Sequence, residues 1–498
     1  MTAPTVGSAG SASGTLPSLA ALDGTRMLAD LDSGAVTARA LLEEHLALLD
    51  GAGGELNAVV DRDDEGARAA ADAVDAARAA GEPVGPLAGL PVTIKDAFDA
   101  AGMRTSHGRL SDARQATVDS PLVRRLREAG AVVVGKTNVP VYLADHQSVN
   151  EDLGRTLNPF DRERSPGGSS GGSGAAVAAG IAVADFGSDL AGSLRVPAAW
   201  CGLFGHRPSN GIVSKLGHMP WPEGGLLEPM VSAVGPMTRS AADSARFLDA
   251  IAGAEGLDAH AWRLELPPAR VTSLAGARVA VWLDDPACPV DSETRDAIRA
   301  FADALDRAGA QVEELTAPPV RGEEAIELFV RLQAGEVVHG LDPEAFARSV
   351  HLAGAGATGR AGDMARGHVQ SLRDALNDFE AQRAIAARWA EIHERHHVVL
   401  CPAAPCAAPR HSDVPNDRRT LELDGRPYPA GDAVGAWSRI SGLGGGPATV
   451  VPLGAGAASG LPIGAQLLGR YLDDRTPLAV AALAEEAGLV GFTAPEGF

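Results

Sequence analysis

Cysteine is scarce in this chain: Cys201, Cys288, Cys401 and Cys406 are the only four in 498 residues. None forms a metal-ligand C-x-x-C pair, and so few thiols fit a reducing compartment. Aromatic residues make up 4%, too few and too scattered to mark an aromatic-lined site. Basic residues are outnumbered, 43 Lys and Arg against 64 Asp and Glu, giving a net charge of −21. No local basic patch offsets that balance, which argues against nucleic acid or an anionic membrane as partner. No apolar run approaches the ~20 residues that a membrane helix requires. Met1 to Ser18 is rich in Gly, Ser, Ala and Thr, without a basic n-region or an apolar core. Residues 1–20 therefore read as a disordered tail rather than a signal peptide, and a cytoplasmic location is expected.

Apolar residues are plentiful at 45%, enough for a large core. Their periodicity predicts helices over Thr37–Leu49, Ala67–Ala80, Leu122–Ala129, Thr294–Ala308 and Leu372–Ile392. Strands are expected at Leu90–Asp96, Ala131–Val134, Val279–Leu283, Gln311–Leu315, Val398–Leu400, Ala448–Val451 and Ile463–Leu468. Pro91 fits only at a strand's start or edge. The last long helix carries a stripe of Leu372, Leu376, Phe379, Ala386 and Trp389, whereas Pro402–Pro429 reads as loop. Helices and strands intermingle, so the class is α/β around a large sheet.

One stretch stands apart. Ser165 to Gly174 is a Gly/Ser turn, Ala175 to Phe186 is apolar, and Gly187 to Arg195 is a second small-residue turn. A linker would not be followed by a core segment. Glycines flanking serines let hydroxyls and backbone N–H groups converge, which suits attack on a carbonyl and retention of the oxyanion. A phosphate-binding turn is the alternative for the stretch in isolation.

Three chemical motifs compete elsewhere. Gly130–Thr137 satisfies G-x-x-x-x-G-K-T, but its intervening residues are themselves strand-like and Pro140 follows. Lys136 then reads as a solvated or locally paired lysine. His393-Glu394-Arg395-His396-His397 satisfies H-E-x-x-H, yet a strand begins at Val398, so His397 falls past the helix end. The third pairs a serine, Ser193 or Ser169, with a lysine base. Lys95, behind an apolar strand, is the best-placed candidate, because burial removes an ammonium's charge. The plain alternative pairs Lys95 with Asp96 or Asp99.

Taken together, Pro166–Gly174 and Asp189–Arg195 resemble the amidase signature family. The likeness continues at Gly89–Asp96, Cys201–Pro208, Gly235–Met237, Cys401-Pro402 and Gly460–Arg470. It implies an α/β fold with a large mixed, mostly parallel sheet covered by helices on both faces. It also implies one catalytic domain over residues 21–498, with a variable substrate-shaping segment at about 254–396. By this resemblance Ser193 is the nucleophile, Ser169 a bridging serine after a cis peptide, and Lys95 the neutral base. The backbone N–H groups of Leu190, Ala191, Gly192 and Ser193 would form the oxyanion hole. Gly168, Ser170, Asp189 and Arg195 would support the loops, and Leu143 would line the acyl pocket. The family usually has Gly-Gly-Ser where this chain has Ala191-Gly192-Ser193.

The resemblance implies an amide hydrolase acting on small-molecule amides, anilides or carbamates, with no metal and no organic cofactor. A glutaminase subunit of a tRNA-dependent amidotransferase, a non-catalytic binding protein and a zinc peptidase are the alternatives. A homodimer is among the assemblies it allows. His206, His218, Trp221 and residues 320–362 are candidates for shaping the pocket.

Overall fold

The computed structural model describes residues 19–218, 224–228 and 230–498. Trp221 and nearly all of the expected tail lie outside them. Eleven strands of the described chain join in one sheet. They are β1 (Val59–Arg62), β2 (Pro91–Lys95), β3 (Val132–Thr137), β4 (Ala184–Asp189), β5 (Phe204–Arg207) and β6 (Ala233–Thr238). β7 (Arg278–Val281), β8 (Gln311–Glu314), β9 (Val398–Pro402), β10 (Ala448–Ala455) and β11 (Pro462–Leu468) complete it. Their order in space is β1-β3-β2-β4-β6-β5-β10-β11-β9-β7-β8. Pro91 is the first residue of its strand, where a missing N–H costs least.

The sheet is mixed, as expected, but it is not mostly parallel. Four neighbouring pairs, β2 with β3 and β4 and β7 with β8 and β9, run parallel. The other six run antiparallel. The reason is visible at β10 and β11. Only residues 456–461 join them, too few for a crossover, so the chain must turn back on itself.

Helices pack on this sheet. Phe186 of β4 meets Phe247 edge to face at 5.4 Å, within a core that includes Val92, Ile94 and Val132. Five helices frame the two serine turns and the cleft beside them: α1 (Gly171–Ala178), α2 (Arg195–Trp200), α3 (Gly322–Val337), α4 (Leu372–Arg395) and α5 (Ala430–Leu443). Residues 320–362 are largely helical, with α3 followed by helices Pro343–Gly354 and Gly359–His368. The structure departs from the expected elements in three places. α5 had no amphipathic signal because it is enclosed on all sides, every residue of it except Asp432 being buried. A small hairpin, Thr420–Leu423 with Arg426–Pro429, interrupts the expected loop. In α4 the apolar stripe is buried only toward its end: Leu372 and Leu376 are 76% and 57% exposed, while Trp389 is enclosed. The first turns of α4 overhang a cleft rather than a core.

Among the described residues, no helix is long and apolar enough to cross a membrane.

Candidate active site

Strand β2 runs buried from end to end and delivers Lys95 at its last position. The lysine is fully enclosed. Its Nζ donates to Ser169 Oγ at 2.8 Å and to Ser188 Oγ at 3.0 Å, with Ser188 O at 3.4 Å. Burial pulls its pKa down to about 7, against the pull of Asp189 and Asp185, which favour the charge. An amine in this state can take up a proton near neutral pH. The expected alternative for Lys95 fails: Asp96 pairs with Lys136 at 3.2 Å, and Asp99 pairs with Arg114.

Ser169 stands in the turn before α1, and the Gly168–Ser169 peptide is cis. A Cβ on Gly168 would lie 2.5 Å from the Asp145 carbonyl oxygen, so the turn has room only for glycine there. Ser170 N–H donates to the Ser193 carbonyl at 3.1 Å, binding the two small-residue turns together. The Ser193 hydroxyl is half-buried and has no hydrogen-bond partner among the described residues.

The turn that carries Ser193 is organised by Asp189. Its Oδ1 accepts the Gly192 N–H at 2.9 Å, and its Oδ2 accepts the Leu194 and Arg195 N–H groups at 3.2 Å each. Arg195, opening α2, closes a two-point ion pair on the same carboxylate at 2.8 and 2.9 Å. Burial works against the Asp189 charge, but the Arg195 guanidinium and its hydrogen bonds hold the carboxyl well below the usual range. Arg195 in turn donates to Ser441 Oγ and Ser438 O of α5 and to Gln466 Oε1 of β11. The left-handed position falls on Gly192 (φ 101°) rather than on Ala191, so the alanine found where glycine is usual meets no backbone strain. The Gly192 N–H is committed to Asp189, whereas those of Ala191 and Ser193 donate to no group among the described residues.

Sequence reasoning missed three contributors. Ser188 shares Lys95 with Ser169; its position in β4, one residue before Asp189, was the available signal. His146 Nε2 lies 3.2 Å from the Ala191 carbonyl oxygen, so the Ala191–Gly192 peptide is clamped at both ends. Burial lowers the His146 pKa to about 4, leaving a neutral ring. Asp185, buried in β4 beside Thr93 of β2, accepts from Thr93 at 2.7 Å and Thr137 at 3.0 Å. Leu143 is half-buried at φ 61°, directly after Tyr142 at φ 51°, and packs on the Val92 and Ile94 core.

Of the histidines offered for the pocket, His206 is tied up with Thr449 and Asp474. His218 is buried edge-on to Phe98 at 4.7 Å, and after burial the Lys95 charge contributes most to lowering its pKa. Lys136 is buried rather than solvated, on a strand that runs unbroken through Gly135 and Thr137, so no phosphate loop exists there. α4 ends at Arg395, and His397 lies beyond it with Nδ1 accepting the Arg278 N–H at 3.0 Å. The two histidines thus do not share a helical face.

The large mixed sheet with packed helices is shared with solved amidases, which are carbon–nitrogen hydrolases. The chain belongs to the amidase family, whose model matches residues 40–478. It is 38% identical over 293 residues to a glutamyl-tRNA(Gln) amidotransferase subunit of Synechococcus sp. (strain CC9902), a match spanning 58% of each chain. Among solved structures it is similar to a bacterial aryl acylamidase of the amidase signature family, at TM-score 0.77 and 26% identity, covering 94% of this chain and 96% of that one. It is also similar to a chain from a vestigial protein complex that bears on the evolutionary origins of an s-triazine catabolic enzyme. There the TM-score is 0.80 at 27% identity, over 95% of this chain and 100% of the other.

Proposed function

We propose that this protein hydrolyses amide bonds of small molecules through an acyl-enzyme on Ser193, with Ser169 and Lys95 as proton relay. Neutral Lys95 takes the Ser169 hydroxyl proton, Ser169 takes that of Ser193, and Ser193 Oγ bonds to the amide carbon. The carbonyl π pair moves onto oxygen, where the Ala191 and Ser193 N–H groups, beside Leu190, receive it. Gly192 keeps its N–H on Asp189 and so serves the shape of the turn. The C–N bond then breaks, its electrons leave with nitrogen, and the relay returns the proton to the departing amine. Water repeats the sequence on the ester, releasing the acid and restoring the serine. The Lys95–Ser169 contact at 2.8 Å, made by an amine whose pKa burial brings to about 7, carries this reading. No step calls for a metal or an organic cofactor. The reading covers amides, anilides and carbamates alike.

A second reading is favoured by the likeness to the amidotransferase subunit, which would make the substrate glutamine and add partner chains. Membership of this family with an intact lysine and two serines weighs against a non-catalytic binding protein.

Intact-protein mass after treatment with a fluorophosphonate tests the mechanism. One adduct is expected on wild type, none on Ser193→Ala, and greatly slowed labelling on Lys95→Ala. An adduct that persists in Ser193→Ala would overturn the assignment of the nucleophile. Co-purification of partner chains, with glutamine as the preferred substrate, would replace the first reading by the second.

A further inference from the structure

Between α3, the start of α4 and the segment leading into β6 lies a cleft of about 460 Å³, a size typical of small-molecule sites. Met230, Val231, Leu332, Val338, Leu372 and Phe379 give it apolar walls. Its wall shares a packed cluster with the nucleophile turn. β6 sets Ala233 opposite Asp189, where the pairing of the two strands ends, two residues after Val231. Val231, Ala191 and Leu332 belong to one packed cluster, against which Leu190 and Phe379 also lie.

The charged groups on its wall are already engaged. Glu336 accepts the Val231 and Ser232 N–H groups at 2.9 and 3.2 Å and the Ser232 hydroxyl as well. Glu228 accepts the Ser214 hydroxyl at 2.6 Å and the Lys215 N–H at 2.8 Å. No lysine or arginine is among the described residues that line the cleft; its titratable bases are His339 and His368, the latter bonded through Nδ1 to the Ser349 hydroxyl and kept toward its neutral form by burial. A zwitterion such as glutamine would bury its carboxylate there with no lysine or arginine to pair it, at high cost. An uncharged chain loses nothing of the kind and gains by leaving water.

We propose that this cleft receives the apolar substituent of the substrate, so that the preferred substrates are amides bearing an uncharged alkyl or aryl chain. The inference rests on the catalytic reading above and gives it a substrate class. Gly335 of α3 holds the cleft open: a Cβ there would meet only Gln370 Nε2, at 3.8 Å. A Cβ at 335 therefore fits without displacing its neighbours, and Gly335 itself lines the cleft.

The test uses two substrate series on the full chain, p-nitroanilides from acetyl to octanoyl and acetamides of amines of increasing length. In one of them kcat/KM is expected to climb about fourfold per methylene, the gain from burying each group. The series that climbs shows which half of the amide enters. Gly335→Phe should cut kcat/KM for the longest substrate of the climbing series at least tenfold relative to the shortest, flattening its slope. Gly335→Ala, which adds only a methyl group, should retain the slope. Flat profiles in both series, or a slope that survives Gly335→Phe, would overturn the proposal. Should no amide turn over, titration calorimetry of Ser193→Ala with octananilide decides it separately. Binding that Gly335→Phe weakens would uphold the cleft while the catalytic reading fell, and absence of binding would overturn the cleft.

Discussion

Two lysines on adjacent parallel strands are buried alike and surrounded differently. β2 and β3 set Ile94 beside Lys136 and Lys95 beside Thr137, and neither lysine side chain reaches solvent. Lys136 Nζ lies 3.2 Å from Asp96 Oδ1 and donates to the Arg104 carbonyl and the Thr105 hydroxyl at 3.1 Å each. Lys95 donates to hydroxyls and one carbonyl, while the nearby carboxylates are engaged elsewhere, Asp189 with Arg195 and Asp185 with threonines. Burial disfavours an ammonium, and a carboxylate beside it offsets that penalty. Asp96 follows Lys95 in the chain yet serves the lysine on the neighbouring strand. The strand end that loses this carboxylate is the one left with a titratable amine.

Exchanging each lysine for methionine tests that contrast from both sides. Lys95→Met should cost about 10³-fold in kcat/KM on any amide substrate, within the range for loss of a general base, and leave the melting temperature unchanged or raised. Lys136→Met should do the reverse. It strands Asp96 in the interior, and urea unfolding should show a loss of about 3–5 kcal/mol. Asp96→Asn in the same chain should recover part of that loss. Equal stability effects for the two lysines would erase the distinction.

The pH profile sharpens it further. Lys95 has a folded pKa of about 7, lowered from 10.5, so the neutral amine dominates above pH 7. The logarithm of kcat/KM should therefore fall with unit slope as pH drops below about 7. The linkage has the same origin. Between pH 7 and about 10.5 the unfolded lysine holds a proton that the folded one lacks, so its contribution to stability rises with pH across that window. Stability curves of Lys95→Met should lose this rise. An acid limb lying more than two pH units away would detach the relay from Lys95.

A smaller effect is expected at His146, which holds the Ala191 carbonyl at 3.2 Å. His146→Ala should lower kcat about tenfold, the worth of one buried hydrogen bond that fixes the oxyanion turn, with KM preserved. His146→Gln, whose amide can still donate, should restore most of it. Losses in KM alone would place this histidine in substrate contact instead.

How far the sequence showed this site depended on what kind of signal each residue leaves. Lys95 was legible because an apolar strand leads into it, and Ser169 and Ser193 because glycines crowd around them. The partners of Arg195 on α5 were not legible. α5 is enclosed on all sides and has neither an amphipathic stripe nor a capping signal, so Ser438 and Ser441 look like any small residues. The pairing of Asp96 with Lys136 depends on strand order, which the local pattern does not encode.

α4 shows the opposite error, a signal without a core behind it. Leu376 repeats in phase with Phe379 and Trp389, yet it is 57% exposed because it lies in the first turns of α4, which face a cleft rather than a core. Phe379 sits at the cleft wall while Leu376 looks outward. Leu376→Ser should therefore change unfolding free energy by no more than about 0.5 kcal/mol and leave the chain-length profile intact. Phe379→Ala should shift that profile. If Leu376→Ser instead destabilises the protein by several kcal/mol, the stripe is covered in solution and the apolar surface belongs to an assembly rather than to a substrate.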